Sequence, residues 1–168
     1  MVRRSAFSIV LLLLAVLIPA GAQSRVSAGG VSLTPPSGWT RPQGSVDKNI
    51  ILAVLAPEAY KGFRANVNVM IQEAPPNATP QMLLDENKKN LQKQGFKIAS
   101  LQVITVGGHP AGRMLWSGDM KGTHLSFNST FILAQGRMYL ITGTALTENF
   151  ARYAAALNAA ANSVQIDR

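Results

Sequence analysis

Residues 123–145 read THLSFNSTFILA, QG and RMYLITGTA in succession, and these three pieces decide the fold class. In the first, Leu125, Phe127, Phe131 and Leu133 alternate with His124, Ser126, Asn128 and Thr130. That period of two marks a strand with one apolar and one polar face. Gln135-Gly136 is a two-residue connection of the kind that closes a hairpin. Residues 137–145 resume strand chemistry, so two long antiparallel strands are predicted. Upstream, residues 96–106 and 111–117 read as two more strands, joined by the turn Gly107-Gly108-His109-Pro110. The loop Gly118-Asp119-Met120-Lys121-Gly122 leads on to residue 123. Downstream, Thr147 is placed to cap a helix. Its Phe150, Tyr153, Ala154, Leu157, Ala161 and Val164 follow the i, i+3, i+4, i+7 spacing of one buried stripe.

The first half obeys the same rules. From 63 to 71, Phe63, Ala65, Val67, Val69 and Ile71 share one strand face. Residues 49–56 form an apolar run stopped by Pro57, and Val31-Ser32-Leu33 starts a short strand ended by Pro35-Pro36-Ser37-Gly38. Trp39 follows as an anchor over the end of a sheet. Thr79-Pro80 opens a helix: the Thr hydroxyl can accept from free N–H groups, and Pro has no donor to lose in the first turn. Leu83, Leu84, Asn87 and Leu91 give it an apolar edge, and Gly95 ends it. Tight connections imply antiparallel pairing. The expectation is an α+β fold, a central antiparallel sheet of six to seven strands flanked by two helices, in a single domain over 31–168.

The first residues give an address. Arg3-Arg4, an apolar run from Ala6 to Ile18, Pro19 and the small triplet Ala20-Gly21-Ala22 form the three parts of a secretory signal peptide over 1–22, with a core too short to span a bilayer comfortably. Sequencing exported protein should read Gln23 first; a mature chain beginning at Met1 would refute the export reading. Residues 23–30, small and polar, are expected to form a flexible lead-in. With no cysteine, a lipid anchor, disulfides and thiolate metal sites are excluded. The reading is of an exported protein, periplasmic or secreted, with no permanent membrane anchor after cleavage. The formal charge is +8, only two units of which leave with Arg3 and Arg4. Export and the spread of the charges argue against nucleic acid. Lys88, Lys89, Lys93 and Lys97 are the one local cluster. Lys89, Lys93 and Lys97 would share one side of a helix, a solvated face or an anionic-surface binder.

Three motifs carry a family resemblance. Pro36-Ser37-Gly38-Trp39 follows a first strand, and Val106-Gly107-Gly108-His109-Pro110-Ala111 precedes a hairpin. Gly136-Arg137-Met138-Tyr139-Leu140-Ile141-Thr142 leads to Phe150 and the closing helix. Over residues 31–166 the chain resembles the PsbP-like superfamily, which includes photosystem II extrinsic subunits, DcrB-like lipoproteins and a nuclear Ran-binding relative. The resemblance implies a central antiparallel sheet between helices, acting as a binding or accessory module and not as a catalyst. The chain lacks the lipidated cysteine of the DcrB-like members, and no cofactor-site motif of the photosynthetic members is present to carry over.

Residues that could support chemistry are few. His109 and His124 are the only histidines, and a metal site would need them with Asp119 between their strands. Ser126 beside His124 has the atoms of a hydrolase pair but no G-x-S-x-G elbow. Trp116 is either a core residue or, with Met114, Met120 and Tyr139, a recognition platform for a partner or apolar ligand. The sequence therefore points to an exported non-enzymatic binding or accessory module of the cell envelope, needing no cofactor. Its partner would be an unidentified envelope protein or small ligand. An envelope hydrolase or metal-dependent enzyme using His109, Asp119 and His124 is the alternative.

Overall fold

The computed structural model describes residues 24–44 and 47–167. The expected signal peptide, 1–22, and its cleavage point lie outside the described residues. The chain runs β1 (Val26–Ala28), β2 (Val31–Leu33), β3 (Ile50–Leu55), β4 (Asn66–Glu73), α1 (Pro80–Lys93), β5 (Lys97–Val106) and β6 (His109–Met120). It continues through β7 (Thr123–Ala134), β8 (Arg137–Leu146), a 3₁₀ turn (Thr147–Asn149), α2 (Phe150–Asn162) and β9 (Gln165–Ile166).

The central sheet has six strands, all antiparallel to their neighbours, in the order β3-β4-β8-β7-β6-β5. The predicted hairpins form, and two-residue turns close them at Gly107-Gly108, Lys121-Gly122 and Gln135-Gly136, each with both residues at positive φ. Such turns match the right-handed twist of the flanking strands. The hairpins therefore run longer than the sequence implied: His109 and Pro110 belong to β6, which also extends to Met120. Helix α1 carries the chain from β4 to the far edge at β5, and three hairpins return it to pair β8 with β4.

The two helices lie on opposite faces. Thr79 caps α1, its hydroxyl accepting from Met82 N–H at 3.2 Å. Leu83 and Leu84 of α1 pack with Met114, Phe131 and Met138. On the other face, Leu157, Ala160 and Ala161 of α2 join Val67, Val69, Ile132 and Ile141. Each helix presses a leucine onto a glycine. A Cβ on Gly112 would sit 2.8 Å from Leu84, and one on Gly143 2.9 Å from Leu157. Both are below contact distance, so these glycines set how closely the helices dock. Trp39 is buried edge-on against Tyr153 of α2, ring centroids 5.8 Å apart.

Several sequence expectations need correction. The lead-in is not flexible throughout: β1 pairs with β2 across Gly29-Gly30, which turn at φ 58° and 77°. Val26 and Ala28 pack against the core, and Arg25 Nη2 donates to Ser163 O at 2.6 Å. Strand β2 stays out of the central sheet and lies between β1 and β9 in a separate three-stranded sheet. Thr147 does not cap α2: its hydroxyl is 2.9 Å from Ser126 Oγ, and Asn149 occupies the cap position without a side-chain bond. The polar face of β7 is not solvated over most of its length, since Asn128 is 1% and Thr130 0% exposed. Helix α2 supplies polar partners there. Asn128 Nδ2 donates to Asn158 Oδ1 at 2.7 Å, and Arg113 bridges Thr130 Oγ1 at 3.2 Å and Asn162 Oδ1 at 2.6 Å. Burial pushes the Arg113 guanidinium below its ordinary value.

Candidate functional site

The four residues of the predicted platform do not assemble. Met114 and Trp116 face α1, and Met114 is fully buried. Tyr139 is 2% exposed on the opposite face, under α2. Met120, 45% exposed, stands at the end of β6. The parity of β6 was right in pairing Met114 with Trp116, but in β8 it is Met138 and Leu140 that take the α1 side, so Tyr139 between them turns the other way. Trp116 instead belongs to an aromatic stack. It lies nearly parallel to Phe127 at 3.9 Å between centroids and meets Phe96 edge-on at 5.0 Å. Its Nε1 donates to Ser129 Oγ at 3.0 Å.

The two histidines are also separated. His109 opens β6 and Asp119 lies at its other end, roughly 30 Å away at about 3.3 Å per residue. Asp119 and His124 do meet across the β6–β7 register, with Oδ1 3.0 Å from Nδ1. His124 also lines an open pocket of about 460 Å³ with Gly122, Thr123, Leu146, Thr147 and Glu148. Ser126, the candidate nucleophile, bonds to Thr147 rather than to His124. No group of three or more His, Cys, Asp or Glu that could hold a metal occurs among the described residues.

The lysine face divides as well. Helix α1 ends at Lys93, and Lys97 opens β5, so Lys97 shares no helix face with Lys89 and Lys93.

What the sequence did not reveal is how little of the sheet α1 covers. The helix rests on β5, β6 and β7. Along β4, Val67 and Val69 point toward α2 and are fully buried, while Asn66, Asn68 and Met70 on the α1 side are only half-buried. Their cross-strand partners Leu140 and Thr142 in β8 are half-buried too. Across the register, Leu55, Asn66, Thr144, Phe127 and Trp116 form one row, and Ala53, Asn68, Thr142, Ser129 and Met114 the next. The result is an open, uncharged floor of Asn, Thr, Met and Leu beside α1. An uncharged surface that mixes amide and hydroxyl groups with apolar side chains can bind an amphiphilic ligand without desolvating an ion. The signal available in the sequence was the polar parity of Asn66 and Asn68 against Val67 and Val69. It could not say which of the two faces a helix would leave bare.

The architecture, a six-stranded antiparallel sheet between two helices with a small accessory sheet, is the PsbP-like fold. Three solved structures share it over most of their length. PA94, a protein of unknown function from Pseudomonas aeruginosa, has 19% identity, a TM-score of 0.63, and coverage of 88% of this chain and 99% of its own. LpqN, involved in cell envelope biogenesis of Mycobacterium tuberculosis, has 16% identity, a TM-score of 0.64, and coverage of 82% and 83%. The cyanobacterial PsbP (CyanoP) of Synechocystis has 12% identity, a TM-score of 0.61, and coverage of 88% and 95%. Neither a protein-family model nor a curated protein matches the chain. No helix among the described residues is long and apolar enough to cross a membrane.

Proposed function

We propose that this chain is an exported, non-catalytic accessory module of the cell envelope, and that it binds a ligand on the uncovered half of the sheet face that carries α1. The observation that carries the reading is the asymmetry of β4, buried in the core on the side of the sheet that α2 shares and half-exposed on the other. The distance between His109 and the Asp119–His124 pair supports a binding role over the three-residue catalytic alternative. The fold it shares with LpqN, an envelope-biogenesis protein, supports the location.

The test compares two double variants in an envelope co-sedimentation assay. Met70→Glu with Leu140→Glu places charge on the floor and should lower association at least tenfold while leaving the thermal transition cooperative. His109→Ala with His124→Ala should fold and associate as the wild type does. Loss of association in the histidine variant with retention in the floor variant would overturn the reading in favour of the His124 pocket.

A further inference from the structure

At the β3 margin of the same floor, two arginines line one pocket. Thr40 pairs with Leu55 through Thr40 N to Leu55 O at 3.1 Å and Leu55 N to Thr40 O at 2.8 Å, which extends the open face past β3. Beside this bridge a pocket of about 490 Å³ is lined by Thr40, Arg41, Pro42, Gln43, Leu55 and Arg64. Each guanidinium is anchored by one bond to a backbone carbonyl. Arg41 Nη2 donates to Ser27 O at 2.6 Å, and Arg64 Nη2 donates to Pro57 O at 2.6 Å. Strand β1, unforeseen in the sequence, thus supplies the anchor for Arg41.

Both side chains are exposed and each is oriented by its single bond, and among the described residues their Nε–H and Nη1–H donors have no protein partner. No carboxylate lines the pocket. The two ion pairs among the described residues, Lys61–Glu148 and His124–Asp119, involve neither arginine. Two guanidinium groups thus line one cavity with no counter-charge in its wall, and an oxyanion there would meet charged donors from both. Thr40 and Gln43 add neutral donors at the same wall. Planar guanidinium forks suit an oxyanion better than flexible ammonium groups do.

We infer that Arg41 and Arg64 form a phosphate-binding subsite at the rim of the open sheet face. The inference rests on the proposed binding role of that face. The phosphate is either free in solution or the diester headgroup of an anionic lipid whose chain would lie toward Leu55 and the floor.

Two probes separate these sources in the mature chain. Inorganic phosphate is titrated while the arginine Nε–H resonances are followed by NMR, and flotation is measured with vesicles of phosphatidylglycerol against phosphatidylcholine. Saturable shifts at Arg41 and Arg64 with no vesicle preference assign a soluble phosphate. Preference for phosphatidylglycerol assigns the headgroup. In either case Arg41→Gln with Arg64→Gln should weaken binding at least tenfold, and Arg41→Lys with Arg64→Lys, which keeps charge but loses the fork, should fall between. Lys89→Gln with Lys93→Gln should change binding less than twofold. The subsite is refuted if neither probe binds, if the Gln pair binds as well as wild type, or if the two lysines matter as much as the arginines. A chain that loses envelope association in the floor variant but not in the arginine variants keeps its binding face and lacks this subsite.

Discussion

Replacing Phe131 by Ala should destabilise the protein by about 3–5 kcal/mol, the range for emptying a buried aromatic site. Phe131 is buried at the centre of the α1-side cluster, against Leu83, Leu84, Met114 and Met138. Its register partners are Gly112 and Leu140. Gly112 has no side chain to move into the vacancy, and Leu84 already rests on it, so the cavity can collapse only by shifting α1. A denaturant titration checks the prediction: the midpoint should fall with little change in slope. An unchanged midpoint would mean that the α1 side of β7 is not a packed core.

Trp116→Ala should be the next most damaging change, costing about 3 kcal/mol, the low end for a large aromatic because the ring is half-buried. Three interactions go together: the stack on Phe127, the edge contact with Phe96, and the bond to Ser129. Ser129 is itself buried, so its hydroxyl loses a partner where water has little access. Trp116→Phe should keep most of the stacking and lose the hydrogen bond, at about 1–2 kcal/mol. Thermal melting of the two variants separates packing from recognition. A Trp116→Ala protein that melts with the wild type yet loses envelope association would turn the stack from a structural wall into a contact residue.

The hairpins of the second half were legible because their signals are local. Period-two alternation in 123–134 and glycine-containing pairs at 107–108 and 135–136 specify strand, turn and antiparallel partner within about a dozen residues. The cap at Thr79 was equally local. What could not be read depends on partners distant in sequence. Nothing near Asn66 says that its strand lies beside residues 137–144, or that α1 stops short of covering it. The polar side chains of β7 looked solvent-facing because Asn158, which accepts from Asn128 Nδ2, and Asn162, which accepts from Arg113, lie on a helix about 30–50 residues away. Strand β1 was missed because a three-residue strand has too short a pattern to distinguish from a polar tail. Its glycine pair was the turn signal available. The platform failed for a simpler reason. Residues that look alike in sequence, such as Trp116 and Tyr139, sit on strands whose relative phase only the register fixes.

The central claim is that binding occurs on the half-covered sheet face beside α1. The most direct measurement is backbone amide mapping by NMR as the mature chain is titrated with detergent-solubilised envelope. The account predicts that the largest perturbations fall on Asn66, Asn68, Met70, Leu140 and Thr142. Perturbations centred instead on Gly122, Thr123, His124 and Thr147, with the β4–β8 floor silent, would contradict it.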